Sequence, residues 1–218
     1  MKTSLQRLII SVITMFLLHA FTYAADITTA DAVIRAMHDR YSATWYDTLT
    51  FTQKSTTYNP DGTATIFEKG KEPRSRPLIN LLLVLGFDVY KQSPETTLKI
   101  VQSQKIDTSK FHEDTWEGRP VCVVGAEKGD TKSPQFWIDK DRLLFVRLFE
   151  PARANPDNTD DIRFANYQPL SGTWIASRVE IWNQGKLVFS EDYSDIKANP
   201  KLDAALFDPK QFDANHRP

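Results

Sequence analysis

Apolar and polar residues change their spacing along the chain, and each change marks an element. Val33, Ile34, Met37 and Tyr41 recur at helical spacing. Thr28 or Thr29 precedes them as a capping residue, and Asp31 lies where a carboxylate favours a helix start. This predicts a helix over about 30–45 with one apolar stripe. The spacing then becomes two. Leu49, Phe51, Gln53 and Ser55 alternate with Thr50, Thr52 and Lys54, and Asn59-Pro60-Asp61-Gly62 reads as a turn. Residues 63–68 return as a second strand. Leu78 to Leu85 is almost wholly apolar, with Pro77 before it and Gly86 after it. Proline at a helix start and glycine just past its end predict a short helix that is buried on most sides or lines an apolar cavity. Ser93-Pro94-Glu95 opens a further helix to about Gln104.

From Phe111 to Ile196 the pattern is antiparallel β. Turn residues at 117–119, 128–130, 139–141, 155–158, 170–172 and 183–186 separate strands predicted at 120–126, 135–138, 142–150, 161–167, 174–182 and 187–193. In the fifth of these, Ile175, Val179 and Ile181 alternate with Ala176, Arg178 and Glu180, so one of its faces is wet. Residues 142–150 are apolar on both sides, with Leu143, Phe145 and Phe149 on one and Leu144, Val146 and Leu148 on the other. Such a strand is covered on both faces. The expected fold is α+β and mainly antiparallel β: a curled sheet or incomplete β-barrel covered by two or three helices.

The first residues follow a different rule. Lys2 and Arg7 precede an apolar run from Leu8 to Leu18, and Thr22-Tyr23-Ala24 offers a small residue before Ala25. This is the order of a secretory signal peptide, cleaved between Ala24 and Ala25. The run of 11 residues is shorter than the roughly 20 of a membrane-spanning helix. No cysteine follows it to take a lipid anchor. The expectation is a signal peptide at 1–24 and one soluble domain at 25–218, exported to the periplasm. Losing Lys2 and Arg7 moves the net charge from −1 to about −3, which gives no support for nucleic acid. Cys122 is the only cysteine, so no internal disulfide forms.

Candidate chemistry is sparse. His38, His112 and His216 are scattered, without the spacing that places two metal ligands on one helix face. The stretch 157–161 is rich in oxygen ligands but lacks the glycine and distal glutamate of a calcium loop. No Gly-x-Ser-x-Gly elbow is present. Cys122, inside a strand, reads as a buried thiol. Asp139 and Asp141 flank a turn, where aspartate serves the backbone. No metal, cofactor or catalytic group is assigned, and the protein is read as a non-enzyme. What stands out is aromatic content, with five tryptophans and phenylalanines at 51, 136, 145, 149, 164 and 189. These either fill a core or line an apolar cavity between sheet and helices.

Three stretches of sequence resemble the LolA/LolB-like periplasmic lipoprotein-carrier superfamily, in particular the outer-membrane lipoprotein-sorting proteins. The first is the export signal, helix and Leu49-Thr50-Phe51-Thr52-Gln53 strand. The second is Gly118-Arg119-Pro120-Val121, leading into Phe136-Trp137-Ile138-Asp139-Lys140-Asp141 and Leu144-Phe145-Val146-Arg147-Leu148. The third is Tyr193-Ser194-Asp195-Ile196-Lys197-Ala198-Asn199, then Leu202-Asp203 and Leu206-Phe207-Asp208-Pro209. The resemblance implies an incomplete antiparallel barrel closed by helices around a cavity for acyl chains. It implies lipid binding and transport by a periplasmic carrier, with lipids or lipoprotein acyl chains as ligands and membrane-bound donor or acceptor proteins as partners. The cavity residues expected on inward faces are Phe51, Leu82, Leu85, Phe145, Phe164, Ile181 and Phe189. Only 25 residues separate Phe51 from Pro77, room for one hairpin, which predicts a more open barrel or a reduced cavity. The alternative is a periplasmic sensor or partner-binding module on the same fold.

Overall fold

Nine strands form one antiparallel sheet in the computed structural model, which describes residues 27–59, 63–66, 79–152 and 155–203. The export signal at 1–24, the turn centre at 60–62, Pro77, Leu78, the stretch 206–209 and His216 lie outside the described residues. In chain order the strands are β1 (Leu49–Tyr58), β2 (Ala64–Ile66), β3 (Asp107–Trp116), β4 (Arg119–Gly125), β5 (Gln135–Asp139), β6 (Leu144–Pro151), β7 (Thr159–Leu170), β8 (Thr173–Asn183) and β9 (Lys186–Ala198). Their order across the sheet is β2-β1-β9-β8-β7-β6-β5-β4-β3. The seven strands from β3 onward form a meander, and the β1–β2 hairpin is added beside β9. The sheet is open and curled; β2 and β3 are its two edges, so the barrel is not closed.

Local chemistry sets the hairpins and the curl. Glu117-Gly118 and Gln184-Gly185 are two-residue turns in which both residues have positive φ, the geometry that matches strand twist. Pairing slips at Thr50/Thr52, Asp107/Phe111, Trp137/Ile138 and Ile181/Trp182. Each such bulge bends its strand and raises the local twist.

One α-helix precedes the strands, α1 (Ala30–Tyr41), and two lie between β2 and β3, α2 (Leu81–Gly86) and α3 (Pro94–Ser103). Thr29 caps α1 by accepting from the Ala32 N–H at 3.1 Å, and Val33, Ile34, Met37 and Tyr41 form its buried stripe. The helix ends at Tyr41, four residues earlier than the spacing predicts. The Trp45 N–H turns back to the Tyr41 carbonyl, and Trp45 and Tyr46 pack inward. Arg35 bridges Asp31 of α1 and Glu95 of α3. Helix α2 starts with Asn80, which accepts from the Leu82 N–H at 3.0 Å. Gly86 belongs to its last turn instead of following it. A side chain there would place its Cβ 2.6 Å from the Phe164 ring, so glycine is required by close approach.

The helices pack on one face of the sheet, mainly against β3 and β6. The core on that face joins Val33, Ile34, Met37 and Leu85 to Cys122, Phe136, Ile138, Phe145, Leu148 and Ile162. A smaller cluster of Val121, Val123, Trp137, Val146 and Phe149 lies on the opposite face. The strict alternation expected over 142–150 is not kept. Ile138 pairs with Phe145 but Trp137 pairs with Arg147, leaving Val146 as the extra residue. Phe145 and Leu148 therefore share the helical face, while Val146 and Phe149 point the other way; Leu144 is buried in the same core cluster as Phe145.

Candidate functional site

The two faces of the sheet are finished differently. On the face away from the helices, one cross-strand row runs Val123, Trp137, Arg147, Arg163, Glu180, Ser190 and Thr56. The guanidinium of Arg147 lies 3.8 Å from the ring centre of Trp116, 4.7 Å from Trp137 and 4.4 Å from Phe149. Its Nε and Nη2 donate to the two oxygens of Asp161, both at 2.7 Å. Arg163 donates to the same carboxylate and stacks 4.5 Å from Trp182. Arg178 ties Glu180 of its own strand to Asp192 of β9. Charged hydrogen bonds and cation–π stacking thus cover this face with the protein's own side chains. The stacked arginines explain where much of the aromatic excess goes; Trp116, Trp137 and Trp182 serve this layer.

The helical face is covered over only part of its width among the described residues. A second row runs Phe136, Leu148, Ile162, Ile181, Phe189 and Thr57 across β5, β6, β7, β8, β9 and β1. Phe136, Leu148 and Ile162 are buried; Ile181, Phe189 and Thr57 are half-buried. The parallel row Phe164, Val179, Glu191 and Ser55 changes in the same direction. Beyond Glu191, Phe51 meets Tyr193 edge-on at 5.0 Å and is itself 48 % exposed. The apolar surface therefore continues past the helices onto β8, β9 and β1. A small polar group sits within it. Gln53 Nε2 donates to Glu191 Oε1 at 2.8 Å, and the Tyr193 hydroxyl donates to Glu191 Oε2. Burial, with that hydrogen bond behind it, raises the Tyr193 hydroxyl pKa well above its usual value, so it stays a donor. At the other side, α2 leaves Leu83 54 % exposed and Ile79 before it 48 % exposed.

The seven expected cavity residues fall into two groups. Leu85 and Phe145 are completely buried, and Phe164 is nearly so, held edge-on against Phe145 at 4.9 Å and beside Gly86. Phe51, Leu82, Ile181 and Phe189 are on the helical side with part of their surface open. Leu82 lies in the first turn of α2 and the other three lie on the uncovered strands. Sequence reasoning missed Tyr193, Gln53 and Glu191. Their strand positions were legible, but only the β1–β9 register brings them together.

Clefts in the surface of the described residues include two of note. One, of about 220 Å³, is lined by Ile79, Leu81, Ile106, Pro134, Phe149 and Pro151 among others. The other, of about 110 Å³, has a mixed lining in which Arg119, Asp139 and Arg142 stand beside Trp116, Val121 and Val146. Small-molecule sites occupy roughly 300–1,000 Å³. In the second cleft Asp139 is saturated by Arg119, Arg142 and two backbone N–H groups. Its two arginine partners outweigh the opposing effect of burial and hold its carboxyl below the usual range. No group of three histidine, cysteine or acidic residues is placed to hold a metal ion among the described residues. Asp161 and Asp160 of the oxygen-rich stretch are engaged by Arg147 and Asn183. No described helix is long and apolar enough to cross a membrane.

No protein-family model and no curated protein matches the chain. Solved structures similar to it include a DUF1329 family protein from Desulfovibrio piger, at 13% identity and TM-score 0.46, over 84% of this chain and 97% of that one. A LolA superfamily protein from Nitrosomonas europaea is similar at 11% identity and TM-score 0.44, over 84% and 98%. A candidate outer membrane lipoprotein-sorting protein domain from Vibrio parahaemolyticus is similar at 15% identity and TM-score 0.37, over 72% and 64%. The likeness is one of overall shape.

Proposed function

We propose that the protein binds lipids or the acyl chains of lipoproteins on the uncovered part of its helical face, and works in the periplasm as their carrier. The observation that carries this is the continuation of the apolar rows beyond the helical layer, onto Ile181, Phe189 and Phe51. Apolar surface left on a sheet is a binding surface by default, because covering it with a ligand's methylenes is favourable by about 0.8 kcal/mol for each one fully buried. The role asks for apolar area and a few orienting polar groups such as Glu191 and Tyr193, with no catalytic step. The sequence resemblance to lipoprotein carriers agrees with it, and so does an export signal at 1–24. The test is to purify the exported protein without detergent, extract it with organic solvent and analyse the extract by mass spectrometry. Bound lipid, or lipopeptide captured on addition, is the expected result. A protein that is empty and indifferent to added lipopeptide refutes the proposal.

The complete burial of Leu85 and Phe145 favours a second reading, in which the interior stays filled and Phe51, Ile79 and Leu83 face a protein partner. A sensor of that kind would hold a defined periplasmic protein in a pull-down and release it when Phe51 is replaced by serine.

A further inference from the structure

Trp45 and Tyr46 lie in the segment that joins α1 to β1, and both belong to the core under the helical layer. The two rings stack at 4.8 Å. Tyr46 meets Phe87 at 6.5 Å, and Phe87 meets Phe164 at 6.3 Å, so an aromatic lane leads from the pair to β7. Trp45 also lies 3.8 Å from Tyr90 and 5.4 Å from Tyr41. The neighbouring hydroxyls all have partners. Tyr41 donates to the Arg142 carbonyl at 2.6 Å, Tyr90 accepts from the Phe145 N–H at 3.2 Å, and Tyr167 donates to the Phe145 carbonyl.

Trp45 Nε1 and the Tyr46 hydroxyl are the exceptions. Both residues are 5% exposed, and neither polar atom has a hydrogen-bond partner among the described residues. Buried donors are almost always paired, because leaving one unpaired forfeits its hydration. An indole N–H can only donate. Burial raises the Tyr46 hydroxyl pKa far above its usual value, so it too carries its proton. Two buried donors on consecutive residues call for an acceptor oxygen. A hydrocarbon chain has none. A charged acceptor would lose its hydration among aromatic rings. A neutral carbonyl oxygen meets both requirements.

We propose that Trp45 Nε1 and the Tyr46 hydroxyl hold the carbonyl oxygen of an acyl ester or amide, so that the protein selects acylated molecules over plain hydrocarbon. This rests on the lipid-binding reading of the open strands. The experiment is displacement of N-phenylnaphthylamine from the whole exported protein by methyl palmitate, N-methylpalmitamide and heptadecane. The two carbonyl ligands bind at least about tenfold more tightly than heptadecane, as two buried hydrogen bonds imply. The ester and amide arms separate a lipid source from an amide-linked acyl group. Trp45→Phe and Tyr46→Phe each reduce the preference, and together they bring it to within about twofold. In the wild-type protein the Trp45 indole N–H resonance moves downfield with methyl palmitate and stays in place with heptadecane, a readout that needs no variant. If all three ligands bind equally and the resonance does not move, the inference is overturned while the lipid-binding reading stands. If none of them binds, both fail.

Discussion

Replacing Asp161 by asparagine tests whether the stacked face is held by charge. The Asp161 side chain is 14 % exposed and that of Arg147 10 %. Burial pushes this carboxyl up, but the hydrogen bonds from Arg147 and Arg163 outweigh it and hold it below the usual carboxylate range. Asp161→Asn keeps the shape, removes the charge and strands Arg147 between Trp116, Trp137 and Phe149. Breaking a buried pair costs about 3–5 kcal/mol. Arg163 is 23 % exposed and recovers water, and the stacking on Arg147 persists. The lower end, about 3 kcal/mol, is therefore expected. For a chain of this length that lowers Tm by about 6–12 °C. Adding Arg147→Met removes the stranded charge and restores at least about 1 kcal/mol. Urea unfolding of the wild type, both single variants and the double variant measures the coupling. The pH dependence follows from the depressed carboxyl. Its contribution is complete above the unfolded value of about 3.9 and is lost as pH falls through the lower folded value. Asp161→Asn accordingly flattens the acid side of the stability profile. A loss below about 1 kcal/mol, or a double variant no more stable than Asp161→Asn, would refute the reasoning.

Gly86→Ala destabilises by about 1–2 kcal/mol, although alanine is the better helix former, because its Cβ drives into the Phe164 ring; Phe164→Leu on that background recovers part of the loss, and a stabilised single variant would contradict the packing. Ile181→Gln and Phe189→Ser, on the uncovered strands, reduce the lipid recovered by extraction several-fold while Tm stays within a few degrees. Equal lipid recovery from wild type and variants places the ligand elsewhere. Burial pushes the Cys122 thiol up to about 11, so a maleimide leaves the folded protein unlabelled at neutral pH and reacts in urea; rapid labelling of the native protein contradicts its buried position.

Most strands were legible because alternation and turn residues are local signals. Glu117-Gly118 and Gln184-Gly185 announce hairpins whatever the rest of the chain does. The ends of α1 and α2 were not legible. The helical spacing of α1 runs on through Trp45, but the ring finds its partners in Tyr41 and Tyr90, and the chain turns to let it do so. Gly86 reads as a stop signal, whereas its reason lies in Phe164, far along the chain. The same limit explains the site. Phe51, Ile181 and Phe189 could be put on one side of their strands from alternation alone. Which of the seven candidates would be sealed and which left open depends on where three short helices stop covering a nine-stranded sheet. The Arg147 and Arg163 layer needed the cross-strand register, since nothing in the local sequence pairs Arg147 with Trp116.

An uncovered sheet face sets a limit on how tightly one chain can be held. A methylene lying on it is desolvated from one side, worth about 0.4 kcal/mol where full burial gives about 0.8. Ten such methylenes contribute about 4 kcal/mol, a dissociation constant near millimolar before the cost of ordering the chain. A single acyl chain is therefore held weakly on Ile181, Phe189 and Phe51 alone. Several chains linked in one molecule share the association cost and cover each other's outer sides. A triacylated lipopeptide should accordingly displace a bound fluorescent probe at concentrations at least about a hundredfold lower than methyl palmitate. Weak binding of single chains also means that release needs no forced opening, because removing the chains one at a time breaks the interaction in small steps. Equal potency of one-chain and three-chain ligands would show that the chain is enclosed on both sides when bound, and the uncovered strands would then be one wall of a site that closes.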